Sequence, residues 1–346
     1  MDERPLIAVT TGDPAGIGPE VVLKAVARSS IRRACRTLVL GDADLLAYAA
    51  QQMDLPFELG RIATPDEIGE QPPQGAILHI PGVKPETFQP GVIAAENGRA
   101  SLDILETAID LALSGRAAAI ATGPINKAAL HLAGSPYRGH TQLLADRSGA
   151  ERVTMMLLSP GRGVEPRWLR VSHATTHIAL KEVPGKLTPE VLRSTIELTQ
   201  SGLTMLGIER PRLAVAGLNP HAGDEGLMGD EEIRWIGPLV EQIQSAGIDI
   251  HGPLPADTVF LRAAAGEFDA VIALYHDQGH IAVKMHGFED AVNLTLGLPI
   301  IRTSVDHGTA FDIAWQGQAD ESSMVAAIEL AARIAANQKF PSEKGI

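Results

Sequence analysis

The chain has 346 residues, 45% of them hydrophobic, so it can bury more than one sizeable core. Its 42 Asp and Glu against 29 Lys and Arg give a net charge of -13, which excludes nucleic-acid binding through a general basic field. The single cysteine, Cys35, excludes an internal disulfide framework and a cysteine-based zinc site, and it reads as a packed thiol. No apolar run approaches the ~18 residues that cross a bilayer, and no long apolar leader stretch opens the chain. A cytoplasmic protein without membrane or nucleic-acid partners is expected.

In chain order, Leu6–Thr10 reads as a buried strand that runs into TGDPAGIGPE (11–20) and then a helix with Pro19 near its start. Strand, glycine-rich turn and helix offer backbone N–H groups to an anion, and they serve equally as a tight structural turn. The glycine spacing is not that of the dinucleotide fingerprint G-x-G-x-x-G. Residues 37–41 form a second strand and 43–53 a helix, while 64–90 read as a Pro- and Gly-rich surface connection around one apolar run, 76–80. A helix over 94–113 and a strand over 117–122, ending in GPINK, continue the alternation. Such alternation implies parallel sheets covered by helices on both faces.

The segment SPYRGHTQLL (135–144) places Arg138, Gly139, His140 and Thr141 before a helix. Either Thr141 is a plain N-cap with His140 solvated, or His140 and Thr141 bind a phosphate or carboxylate at the helix start. Three later strands share one feature: 168–172 leads into HATTH, 213–218 into NPHAG, and 270–275 into HDQG. Each delivers a histidine at a carboxyl end, where open α/β sheets place their ligands. Neutral imidazoles suit a borderline divalent metal, and three with open positions left make a catalytic arrangement. The assigned ligands are His177, His221 and His276. His173 would share a face with His177 only in a helix, which Thr175 and Thr176 disfavour. Asp277 and Asp257 are read as outer supports of the metal or as a proton acceptor.

Further on, Lys284, Asn293 and Arg302 precede a second His-Gly turn at His307. Lys284 alone reads equally well as a solvated cation. Arg302 follows the apolar run LGLPII beside Thr303 and Ser304, which fits a phosphate or carboxylate; each charged hydrogen bond there contributes roughly 1.5–3 kcal/mol. Residues 322–337 read as an Ala-rich packing helix.

TGDPAGIGPE, TGPINK, GHTQLL, TTHIAL, LNPHAGDEG, GPLPADT, YHDQG and VNLTLGLPIIRTSVDHGTA, in this order over nearly the whole chain, resemble the 4-hydroxythreonine-4-phosphate dehydrogenase family of vitamin B6 synthesis. The resemblance implies an NAD-linked (or NADP-linked), divalent-metal-dependent dehydrogenase. Such an enzyme oxidises the secondary alcohol of 4-phosphohydroxy-L-threonine and decarboxylates the product to 3-amino-2-oxopropyl phosphate. Zinc is the expected metal, with cobalt, magnesium or manganese as alternatives. The family's metal ligands fall on His177, His221 and His276, and its substrate contacts on His140, Thr141, Lys284, Asn293 and Arg302. His140, Lys284 and Asp257 are the candidates for catalytic proton handling. The resemblance also implies a homodimer whose subunits both contribute to each metal site.

GDPAGIGPE and DHGTAFDIAWQGQAD are similar to segments of the isocitrate and isopropylmalate dehydrogenases. That likeness implies their two-domain α/β fold, with mostly parallel sheets flanked by helices and the active site in the interdomain cleft. It places Gly12, His307, Gly308, Thr309, Ala310 and Asp312 near NAD. The expected domains are 1–135 with 290–346, and 136–289. Two residues depart from the biosynthetic pattern: Gln142 stands where Glu is typical, and His280 where an apolar residue is usual. YHDQGHI and DHGTAFDIA resemble a paralogous branch that oxidises sugar-acid phosphates such as 4-phospho-D-threonate or 4-phospho-D-erythronate. The short segment between Lys284 and Asn293 resembles the biosynthetic enzymes instead. Readings of other classes are a metal-dependent phosphohydrolase, which leaves DHGTAFDIA without a purpose, and a sugar-phosphate-binding protein without turnover.

Overall fold

A computed structural model describes residues 3–69, 75–85, 88–161, 167–287 and 289–337. The chain divides into two compact units, one from residues 1–151 with 298–336 and one built on residues 152–297.

In the first unit, strands β1 (Leu6–Thr10), β2 (Arg36–Gly41), β3 (Gly60–Ile62), β4 (Ala76–His79), β5 (Ala119–Thr122) and β12 (Arg302–Val305) lie in the order β3-β4-β2-β1-β5-β12. All these pairs are parallel. β1 is apolar throughout because both of its faces are covered. Ile7 and Val9 join a core with Val21, Val22 and Ile328, from the helices Gly18–Ala27 and Ser322–Ala335. Ala8 joins the opposite core with Leu38, Ile104, Ile120 and Leu144, under the helices Ala95–Leu113 and His140–Ser148. Cys35 is buried in the first of these cores, where burial pushes its thiol up to about 12. It is a packed thiol, not a nucleophile.

The second unit holds β6 (Thr154–Ser159), β7 (Leu169–His173), β8 (Leu213–Ala216), β9 (Ile250–Leu254), β10 (Ala270–Ala273) and β11 (Val292–Leu296), in the order β11-β6-β7-β10-β8-β9. β6 is antiparallel to both β7 and β11, and the remaining pairs are parallel. Leu157, Val171, Ala214, Val259, Val271 and Val283 form its core. Because β7, β10 and β8 are adjacent and parallel, the loops that leave their carboxyl ends emerge along one edge.

The borders of the two compact units fall at 151/152 and 297/298. Leu143 and Leu144 pack the helix His140–Ser148 into the first unit, and β11 pairs with β6 in the second. The stretch 64–90 contributes β4 and lies partly outside the described residues. Among the described residues no helix is long and apolar enough to cross a membrane.

Candidate active site

In the second unit, β7 ends at buried His173, and the chain reaches exposed His177 four residues later with a left-handed φ of 54°. β10 is followed by the helix His276–His286, which His276 opens. The Asp277 carboxylate accepts from His276 Nδ1 at 2.7 Å, so the proton sits on Nδ1 and Nε2 keeps its lone pair.

The ring centroids of His177 and His276 are 5.4 Å apart. Two imidazoles on one ion, with bonds of about 2.0–2.1 Å, hold their centroids roughly 4.5–5.5 Å apart at angles of about 90–120° and never beyond ~6.4 Å. The His177–His276 separation lies within that range. His173 lies 6.5 Å from His276 and does not share an ion with it. His221 follows β8, the neighbour of β10, and among the described residues it makes no ring contact with the other histidines.

His221 opens an unusual turn. His221, Ala222, Asp224 and Glu225 have φ between 45° and 55°, and Gly223 lies at 86°. Each left-handed L-residue costs roughly 1–2 kcal/mol, so the turn persists only because its surroundings hold it. Buried Glu232 does so, accepting the Asn219 backbone N–H at 2.7 Å and Asn219 Nδ2 at 2.9 Å. Glu232→Ala removes the acceptor of the Asn219 N–H and one of the two acceptors of Asn219 Nδ2, which keeps Glu231 Oε2 at 2.7 Å, and is expected to lower unfolding free energy by about 1–3 kcal/mol, read by urea denaturation. Glu232→Gln, which keeps one acceptor, should lose less. Strain of this kind, present at both His177 and His221, gathers where function fixes the backbone.

The helix His276–His286 puts His276, His280 and Lys284 in one row at four-residue spacing, with Lys284 half-buried. Asn293, on β11, has a buried Oδ1 without a hydrogen-bond partner, an acceptor that a bound ligand would satisfy. Asp257 is exposed in the first turn of the helix Ala256–Ala264, where a carboxylate also favours the helix dipole.

In the first unit, Arg302 opens β12 and is only 3% exposed. It stands in register with Ile120, and its side chain extends along the sheet to donate from a terminal NH2 to Thr122 Oγ1 at 2.7 Å. Burial pulls its guanidinium down to about 9. His140 is the first residue of its helix, Gly139 is the N-cap, and no side chain caps it. Thr141 is exposed within the first turn, so the reading of Thr141 as a plain cap is corrected: glycine occupies that position. Gln142 Oε1 accepts the Arg138 N–H at 3.0 Å, a back-bond that fastens the entry to the helix. His140 Nε2 is buried without a partner, and burial, then the Arg302 charge, hold the imidazole well below its usual range. A neutral imidazole, a buried guanidinium and a helix start together suit an anion.

Asp13 is a residue that sequence reasoning passed over. It is fully buried after β1; Oδ1 accepts the Ala15 N–H at 2.9 Å and Oδ2 has no hydrogen-bond partner. Burial, against the Ala15 N–H, pushes its carboxyl up to about 6. The folded chain thus holds this proton more tightly than the unfolded chain. Stability from this group is therefore full below pH ~4 and lost as pH rises to ~6. Compared with Asp13→Asn, the unaltered protein should lose about 2–3 kcal/mol of unfolding free energy between pH 4 and 7, read from urea midpoints.

The segments expected near NAD lie together. Gly12 has φ of 70°, and a Cβ there would stand 2.1 Å from the Pro124 carbonyl oxygen, so only glycine fits. Ile17 N–H donates to the Thr309 carbonyl at 3.0 Å, and Trp315 Nε1 to that of Pro14 at 3.0 Å. Buried Glu20 accepts the N–H groups of Gly317 and Ala319. His307, Thr309 and Ala310 are half-buried, while Gly308 and Asp312 are exposed.

A different group, Asp42, Asp44 and His79, brings its ligand atoms within 4.8 Å of one another. Those atoms are committed elsewhere. Asp42 Oδ1 caps the helix Ala43–Gln52, its Oδ2 accepts the Gly82 N–H, His79 Nδ1 accepts the Ala43 N–H, and Asp44 pairs with Arg61. The group is a helix-capping network.

Fold and side chains define a class: an α/β protein of mostly parallel, helix-covered sheets, with imidazoles after strand ends in the second unit and a buried guanidinium at the start of β12 in the first. A profile of the family described as pyridoxal phosphate biosynthetic protein PdxA matches residues 33–331, and the chain belongs to that family. It is 46% identical over 334 residues to a 4-hydroxythreonine-4-phosphate dehydrogenase of Desulforapulum autotrophicum, with 96% of each chain covered. It is also 46% identical over 336 residues to a D-threonate 4-phosphate dehydrogenase of Cupriavidus necator, covering 96% of this chain and 98% of the other. Among solved structures, a 4-hydroxythreonine-4-phosphate dehydrogenase from Klebsiella pneumoniae matches with a TM-score of 0.86 and 44% identity, over 96% of this chain and 99% of that one.

Proposed function

We propose that the protein is an NAD-dependent, divalent-metal-dependent dehydrogenase that oxidises the secondary alcohol of a phosphorylated four-carbon acid, with 4-phosphohydroxy-L-threonine as its substrate. The 5.4 Å spacing of His177 and His276, with Asp277 fixing the His276 tautomer, carries the metal part of this reading. Family membership carries the oxidoreductase part.

His177, His221 and His276 are the ligands, with zinc the expected ion. A bound divalent cation makes deprotonation of the alcohol accessible near neutrality, and NAD supplies the hydride acceptor. Arg302, His140 and Thr141 receive an anionic end of the substrate, and Lys284 and Asn293 are further contacts to it. Asp257 is assigned as proton acceptor, with Lys284 and His140 supporting proton handling. Gly12, His307, Gly308, Thr309, Ala310 and Asp312 serve the cofactor. The exposed Asp312 carboxylate favours the free ribose hydroxyl of NAD over the phosphate of NADP.

A homodimer supplies the complete metal site. Leu180, Leu227, Leu261, Ile281 and Met285, each at least 62% exposed and all in the second unit, support a covering copy. A second substrate, 4-phospho-D-threonate, is favoured by the relative of that activity and by His280. The deciding assay is NADH formation on both phosphates with one preparation. A higher kcat/KM on 4-phosphohydroxy-L-threonine supports the first reading, and strong preference for the sugar acid replaces it by the second. Phosphate release without NADH would overturn both.

A further inference from the structure

The helix His276–His286 carries an imidazole that none of these roles uses. His280 lies one turn after His276, and its ring stacks on that of His276 with centroids 3.6 Å apart and planes inclined by 14°. Parallel stacked rings cannot aim both lone pairs at one ion, so His280 is not a ligand beside His276. His280 Nδ1 is 3.1 Å from the His276 carbonyl oxygen, which can only accept, so that nitrogen carries the proton. The same Nδ1 is 3.1 Å from His173 Nε2, which is then the acceptor.

His173 is 2% exposed at the end of β7, and its carbonyl accepts from Thr154 Oγ1 at 2.9 Å. Gly279 permits the approach: a Cβ there would stand 2.3 Å from His173 Nε2 and 2.8 Å from Val171 Cγ1. A rigid strand thus holds His173, His173 holds His280, and His280 covers one face of His276. Asp277 fixes the same ring from its Nδ1 edge.

We propose that His280 is a positioning residue that, through its stack on His276 and its hydrogen bond to His173, fixes the plane of the His276 imidazole for cation binding. This rests on His276 being a metal ligand. A ring held at face and edge offers Nε2 in one direction. Without His280 the ring loses its stacked face and keeps the exposed Asp277 hydrogen bond at its edge, so more of the ligand must be ordered at the moment of binding.

The test uses the metal-stripped full-length protein titrated with Co²⁺, following the visible d–d absorption and the dissociation constant, with thermal unfolding as the check of fold. His280→Leu should weaken Co²⁺ binding by about 10–100-fold and alter the d–d bands. His280→Phe keeps an aromatic face without the bond to His173, so it should lose less; it also serves if the leucine variant does not fold. His173→Leu should weaken binding too, and His173→Leu with His280→Leu should be no worse than His280→Leu alone, because the two act in series. Co²⁺ binding within twofold of the unaltered protein, with unchanged bands, in His280→Leu or His280→Phe would overturn the positioning role. His276→Ala separates this from the underlying reading. If that variant binds Co²⁺ as the unaltered chain does, His276 is not a ligand and both fall; if it loses binding while His280→Leu does not, only the role of His280 falls.

Discussion

Arg302→Met should lower kcat/KM on the phosphorylated substrate by about 10²–10⁴-fold, while the folded chain becomes no less stable. The first part follows from losing two charged hydrogen bonds to an anion, at roughly 1.5–3 kcal/mol each. The second follows from the burial of the guanidinium, 3% exposed and pulled down from its ordinary range to about 9. A base whose folded value is depressed opposes folding fully below that value, and the opposition fades only as pH rises above about 9 toward the ordinary guanidinium range. At pH 7 the charge therefore works against the fold, and replacing it with an apolar side chain of similar length removes that cost. Steady-state kinetics and urea denaturation of the same preparation check both halves. An Arg302→Met variant that keeps its kcat/KM shows the buried cation to be structural. Arg302→Lys should recover only part of the activity, because an ammonium cannot present the planar fork.

His276→Ala is the second large effect. Removing a supporting partner from a metal site typically weakens it by about 10–100-fold, and removing one of three ligands should exceed that. The expected result is a fall of about 10³-fold or more in kcat/KM with little change in unfolding free energy, since His276 is only half-buried at the start of its helix. Added metal should restore activity in part if affinity is the loss, and stopped-flow or steady-state NADH formation across a Zn²⁺ or Co²⁺ titration reads it. Unchanged kinetics in His276→Ala would remove the metal assignment for this residue.

Much of the scaffold is legible in the residues. Leu6–Thr10 and the strands ending near His173, Ala216 and Ala273 announce themselves as short apolar runs closed by turn formers, because strands buried on both faces need no alternation. The helix Ala95–Leu113 was equally plain from its periodicity. The antiparallel pair β6 and β11 was not, since TMMLLS lacks β-branched residues and VNLTL is polar at alternate positions.

At the site, the histidines could be read from where strands end, and the burial of Arg302 from the apolar run before it. What could not be read depends on chain segments meeting in space. Thr122 becomes the partner of Arg302 only through the parallel register of β5 and β12, 180 positions apart. Glu232 holds the His221 turn through Asn219, 13 positions before it. His280 gained a role only once residues 276–286 proved to be a helix, which Gly279 in its middle argues against on propensity alone; the glycine is there because His173 fills the space of its Cβ. Asp13 looked like one letter of a turn, and only its complete burial marks it.

The most direct test of the account is metal-dependent NADH formation. The full-length protein, stripped with a chelator and dialysed, is assayed at 340 nm with NAD and either 4-phosphohydroxy-L-threonine or 4-phospho-D-threonate, before and after Zn²⁺, Co²⁺, Mg²⁺ or Mn²⁺ is returned. The account predicts negligible absorbance change in the stripped protein and recovery with a divalent ion on at least one of the two phosphates. NADH formation that is the same with and without metal, or phosphate release with no NADH under any condition, would contradict it.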